Sequence, residues 1–152
     1  MSLVKRVPLS LLLVFGVGNL LCAAQLKVQV LDSSSGHGLH NKLVCVSFPA
    51  ENSDGPIITE ARDCHRTDST GTVEFKLPDP APKSVHIALA SNGLDPCFRP
   101  ESFELSAAMD GGTVAKNTCG DAGTDLTEDG EVVVFAHQRS LWESMKARSD
   151  EF

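Results

Sequence analysis

The chain contains no tyrosine and a single tryptophan, and aromatic residues make up 5% of its 152 positions. A metal centre built on tyrosine ligands is therefore excluded, and a glycan platform of stacked aromatic rings is disfavoured. Basic residues are scarce as well: 13 Lys and Arg stand against 20 Asp and Glu, for a net charge of −7. Such a chain has no electrostatic reason to seek nucleic acid or anionic lipid. The sequence has no Cys-x-x-Cys pair, no His-x-His pair and no Gly-x-Ser-x-Gly turn. These absences weaken a four-cysteine zinc site, a copper site with paired histidines and a serine nucleophile on a tight elbow. No Asn-x-Ser/Thr glycosylation acceptor occurs either. Past residue 24, no apolar run approaches the ~20 residues that a membrane-spanning helix needs.

What is present begins with a targeting pattern. Lys5 and Arg6 precede an apolar stretch over residues 9–17, and Cys22-Ala23-Ala24 supplies small residues for cleavage. This reads as a secretory signal over residues 1–24. Pro8, Ser10 and Asn19 interrupt the apolar stretch, which argues against an uncleaved anchor, and Leu21 before Cys22 argues against lipid attachment there. Removing Lys5 and Arg6 makes the remaining chain still more acidic. It is expected to be secreted or periplasmic, with no membrane insertion after signal cleavage. The remainder suits one domain with one core over residues 25–138, followed by a helical tail over 139–152.

Of the 5 cysteines, Cys22 falls in the signal. Cys45, Cys64, Cys97 and Cys119 remain, an even number in an exported domain, which reads as two disulfides with three connectivities open. If Asp54-Gly55 forms a two-residue hairpin turn, residues whose numbers sum to 109 face each other, and Cys45 then lies opposite Cys64. Pro56 beside that turn leaves the register open. Cys97–Cys119 follows by elimination.

The patterning is that of strands. Leu26, Val28 and Val30 alternate with Lys27 and Gln29. Residues 42–48 are apolar on both faces and are expected to be central, whereas residues 57–66 are polar enough for an edge. Val73, Phe75 and Leu77 alternate with Thr72, Glu74 and Lys76. Residues 84–90 and 131–137 form further strands, and 102–106 a short one. Residues 91–100 are read as a loop. Turn signals recur every ten residues or so, and helical periodicity is almost absent, which describes an all-β sandwich. The exception is the tail, where Ser140 and Glu143 have capping-box spacing ahead of Leu141, Trp142 and Met145.

Two turn segments share one grammar. Val30-x-Asp32 leads to Ser35-Gly36-x-x-Leu39 and then Leu43-Val44-Cys45-Val46, and Thr67-Asp68-x-x-Gly71-x-Val73-x-Phe75 follows. The pair resembles the opening of a carboxypeptidase regulatory-like domain and is similar to transthyretin-like sandwiches. Val28 and Gly38 stand where that family usually has Gly and Pro. The resemblance implies a seven-stranded, prealbumin-like β-sandwich. It carries no catalytic role: the aspartates are expected to bind turn amides, and Gly36 and Gly71 to supply turn dihedrals. Enzymes on similar sandwiches do not fit. Intradiol dioxygenases need tyrosine ligands, transthyretin-related hydrolases end in Tyr-Arg-Gly-Ser, and zinc carboxypeptidases need a separate catalytic domain.

Candidate chemistry is thin. His37 and His40 share a loop and offer a metal pair. The acidic loop 121–131, with Asp121, Asp125, Glu128, Asp129 and Glu131, offers calcium ligands without EF-hand spacing. His65 adjoins Cys64. His86 and His137 alternate with apolar neighbours. Ser69 and Ser91 lack a nucleophile motif. The expected function is a non-enzymatic exported module with no cofactor. Its partner is an unknown protein or glycan, with protein favoured. The alternative is a loop-based metal protein or enzyme using His37 and His40 or the acidic loop.

Overall fold

The computed structural model describes residues 24–49, 62–124, 127–140 and Glu143. The expected targeting segment up to residue 23, the expected Asp54-Gly55 turn and most of the expected tail helix lie outside these residues. The fold is all-β. Its elements are the strands β1 (Gln25–Asp32), β2 (Leu43–Ser47), β3 (Asp63–Arg66), β4 (Thr72–Lys76), β5 (Ser84–Leu89), β6 (Leu94–Pro96), β7 (Phe98–Arg99), β8 (Ser102–Glu104), β9 (Thr113–Val114), β10 (Lys116–Asn117) and β11 (Glu131–Gln138), and the helix α1 (Leu105–Met109). Among the described residues, eleven strands stand where the resemblance implies seven, and β6 to β10 are only two or three residues long.

One sheet has the order β4-β1-β11-β6, with β9 also on β11. A second has the order β3-β2-β5-β8, and β7 pairs with β10 separately. Strand β1 lies antiparallel to β4 and parallel to β11. That parallel pair joins the two ends of the domain, so the rest of the chain serves as its crossover. As expected, β2 is interior and β3 is an edge.

Alternation decides the core. Leu26, Val28 and Val30 of β1, Val73 and Phe75 of β4, and Val132 and Val134 of β11 face Val44 and Val46 of β2, Val85 and Ile87 of β5, and Phe103 of β8 in one apolar cluster. Each fully buried Val, Ile or Phe contributes roughly 1.5–3 kcal/mol of transfer free energy.

The two turns behave alike. Asp32 Oδ1 accepts the amides of Ser34 (3.2 Å) and Ser35 (2.8 Å) and the Ser35 hydroxyl. Asp68 Oδ1 accepts the amides of Thr70 (2.8 Å) and Thr72 (3.0 Å) and the Thr70 hydroxyl. Gly36 and Gly71 take φ of 71° and 81°. The turns also dock on each other: a Cβ at Gly38 would lie 1.9 Å from the Thr70 carbonyl oxygen. The Val30 amide donates to Gly71 O, and the Leu39 amide donates to Val30 O.

Two local expectations change. Residues 102–106 are not one strand. The strand stops at Glu104 and α1 begins at Leu105, whose amide donates to Lys83 O at 2.8 Å. Leu105 and Ala108, three apart, are the buried residues of this helix. A helix of five residues is too short to print a periodicity. Residues 91–100 are not a plain loop either, because β6 pairs with β11 and β7 with β10. Those pairings are long-range and leave no local alternation.

Candidate functional site

At one end of the second sheet, a cleft of about 310 Å³ is lined by Asn41, Lys42, Leu43, Arg66, Ala90, Ser91 and Asn92. Its walls are the start of β2, the end of β3 and the residues following β5. The 41–43 backbone is clamped from both sides. Towards β3, the Lys42 amide donates to Thr67 Oγ1 at 2.9 Å, and that hydroxyl donates to Leu39 O at 2.5 Å. The Asn41 amide donates to Thr67 O, and the Thr67 amide donates to Lys42 O, each at 3.0 Å. Thr67 is buried, so these bonds are partly shielded from water. Towards β5, the Leu43 amide donates to Ser91 Oγ at 2.6 Å, and the Ala90 amide donates to Leu43 O. Asn41 takes φ 59°, a left-handed turn that asparagine tolerates better than most residues.

Arg66 is exposed and donates through Nη1 to Asn41 O at 3.1 Å, so its guanidinium is drawn over the cleft wall. The cleft thus presents an ammonium, a guanidinium, a hydroxyl and two amide side chains. Among the described residues, no carboxylate lines it and no ion pair takes up Lys42 or Arg66.

The residues singled out from the sequence are placed as follows. Cys45 and Cys64 are directly opposed across β2 and β3, with sulfurs 2.11 Å apart. The register is the one the sum of 109 gives. Cys97 and Cys119 lie with sulfurs 1.99 Å apart. His37 and His40 are both exposed. The His37 amide donates to Ser35 Oγ at 3.4 Å, while His40 lies near Asp68. In the acidic loop, Asp125 is outside the described residues. Glu128 pairs with Lys27 at 2.8 Å, and Glu131 is buried and accepts the Glu128 amide through Oε2 at 3.1 Å. The hydrogen bond from Lys27 holds the Glu128 carboxyl below its ordinary range. Among the described residues, no three His, Cys, Asp or Glu side chains converge as metal ligands.

His65 lies 2.8 Å from Asp63 and packs edge-on to Phe75. Ser69 is exposed in its turn, and Ser91 is engaged at the cleft. His86 is half-buried on β5. His137 lies 3.5 Å from Glu143. The capping box is formed: the Ser140 amide donates to Glu143 Oε2 at 2.7 Å, and the Glu143 amide donates to Ser140 Oγ at 3.3 Å. Arg139 donates from two nitrogens to both oxygens of Asp95, which holds that carboxyl below its ordinary range.

Lys42, Arg66, Asn41 and Asn92 carry no motif and were not among the sequence candidates. The one signal that could have joined them is the 109 register, which sets Arg66 opposite Leu43. No protein-family model, curated protein or solved structure matches this chain.

Proposed function

We propose that this chain is an exported, non-enzymatic binding module, active in the periplasm or outside the cell, on a prealbumin-like sandwich of the carboxypeptidase regulatory-like kind. The observation that carries the reading is the preset polar cleft at the strand ends. Its backbone is fixed by Thr67 and Ser91, so binding there costs little ordering. Two further features support it. The aspartates of the paired turns bond turn amides, as the resemblance expects of structural motifs, and the turns also dock together. Two cysteine pairs at bonding distance suit an oxidising compartment. Among the described residues, no helix is long and apolar enough to cross a membrane.

The partner is a protein before it is a glycan, because the sequence is poor in the aromatic residues a glycan platform uses. Capture from the native extracellular or envelope fraction, using the folded, oxidised chain as bait, tests the reading. A partner held by the folded chain and lost after reduction and unfolding is the expected result. Turnover of a substrate without any retained partner overturns it.

A further inference from the structure

Building on the binding-module reading, we propose that the cleft recognises a carboxylate, presented by an acidic peptide segment that lies extended along the outer edge of β3. The first argument is charge. Lys42 and Arg66 converge on one small cleft in a chain of net charge −7, and no carboxylate among the described residues neutralises them there. An acidic protein otherwise repels anions, so a local pair of uncompensated cations marks the place where an anion is admitted. The second is geometry. Arg66 spends Nη1 on Asn41, and its planar fork suits a two-oxygen acceptor better than a point charge does. The Ser91 hydroxyl already accepts the Leu43 amide, so its own proton is available to an acceptor in the cleft.

The third argument selects a peptide. β3 ends its sheet, all four of its residues are exposed, and among the described residues it pairs only with β2. Its outward backbone groups can add one more strand. A segment added there runs directly to Arg66 at the end of β3 and delivers a side chain into the cleft. A sulfated glycan would use the two cations but not the strand edge.

The test titrates the oxidised protein with N-acetylated hexaglutamate and, separately, with a sulfated disaccharide, by calorimetry and amide NMR. Saturable binding of the peptide is expected, with shifts at Lys42, Arg66 and the β3 amides. Lys42→Met and Arg66→Met should each weaken it about tenfold or more, and Arg66→Lys by less. Lys116→Met makes the same charge change at an exposed residue of β10, outside the cleft, and should leave binding within about twofold. Lys42→Met is the deciding variant, because the Lys42 side chain makes no bond that holds the turn, and an unchanged melting midpoint shows that it is folded. Three results overturn the proposal: peptide binding indifferent to Lys42→Met, an equal loss with Lys116→Met, or saturable binding of the disaccharide alone. A natural partner that the Lys42→Met protein still captures also overturns it, while leaving the binding module intact.

Discussion

The two sheets share one core, yet their outer faces have opposite fates. On the first sheet, Leu31, Val133 and Phe135 point away from the core and are buried again, under Cys97 and Ala122. The covering segment is laid down by backbone bonds: the Cys97 amide to Phe135 O, the Ala115 amide to Val133 O, and the Ala122 amide to Ser33 O. Asn117 ties it further. Its side-chain amide donates to Ser33 O and Ala122 O, and its Oδ1 accepts the amides of Cys119 and Gly120. On the second sheet, the outward residues of β2 and β5 are Leu43, Cys45, Ser47, Ser84, His86 and Ala88; Cys45 is buried beside its disulfide, and the others stay half-exposed. There the cysteine pair spans two adjacent strands instead of fastening a cover. The lesson concerns the residues between those of the core. Where large apolar residues cluster outward, as Leu31, Val133 and Phe135 do, the chain supplies a second layer, and where the outward residues are mostly small or polar, the face is left for solvent or a partner.

The contrast can be broken most severely at Phe135. Phe135→Ala should cost about 3–5 kcal/mol, because a ring 1% exposed leaves a cavity under a fastened cover. Truncating Leu43, half-exposed on the other outer face, should cost less. Urea denaturation of both variants measures the difference, and equal losses would erase the distinction between the faces. Next in size are the cysteine pairs. Their sequence separations, 22 and 19, are close, so replacing either pair with serine should cost a similar ~2–4 kcal/mol. The location of the damage should differ. Without Cys97–Cys119, hydrogen exchange should rise at Ala115 and Ala122, and without Cys45–Cys64 it should rise along β3 and spare the cover.

The smallest effect is acid sensitivity. Hydrogen bonds from Thr70 and from the amides of Thr72 and Thr70 hold the Asp68 carboxyl below its ordinary 3.8. At Asp32, burial acts to raise the value, but the bonds from Ser35 and Ser34 outweigh it, and the net shift is downward. A carboxyl depressed in the folded state stabilises fully above its unfolded value, and that stability disappears as pH falls through the folded value. The melting midpoint should therefore drop as pH falls below 3.8, and Asp32→Asn with Asp68→Asn should flatten that decline. An unchanged slope in the double variant would remove the turns from the account.

Much of the frame was legible. Leu26, Val28 and Val30 alternate because a half-buried strand repeats every second residue, and the Asp turns declare themselves because their bonds close within four residues. The β2–β3 register is the one an Asp54-Gly55 turn would set, and that turn lies outside the described residues. The cover did not show. Cys97, Asn117 and Ala122 act on Ser33 and Phe135, far away in sequence, and β6, β7, β9 and β10 are too short to alternate. The cleft was hidden for the same reason, since Lys42, Arg66 and Ser91 sit on three separate strand ends and carry no shared motif.

By itself, then, the sequence determined which residues enter the longer strands β1, β2, β4, β5 and β11, which aspartates close the turns, and that β2 is interior and β3 an edge, because these properties depend on neighbours a few positions away. The tertiary structure alone decided which outer face is roofed over and where two cations meet. Both depend on how distant segments pack, and no local pattern of side chains encodes that choice.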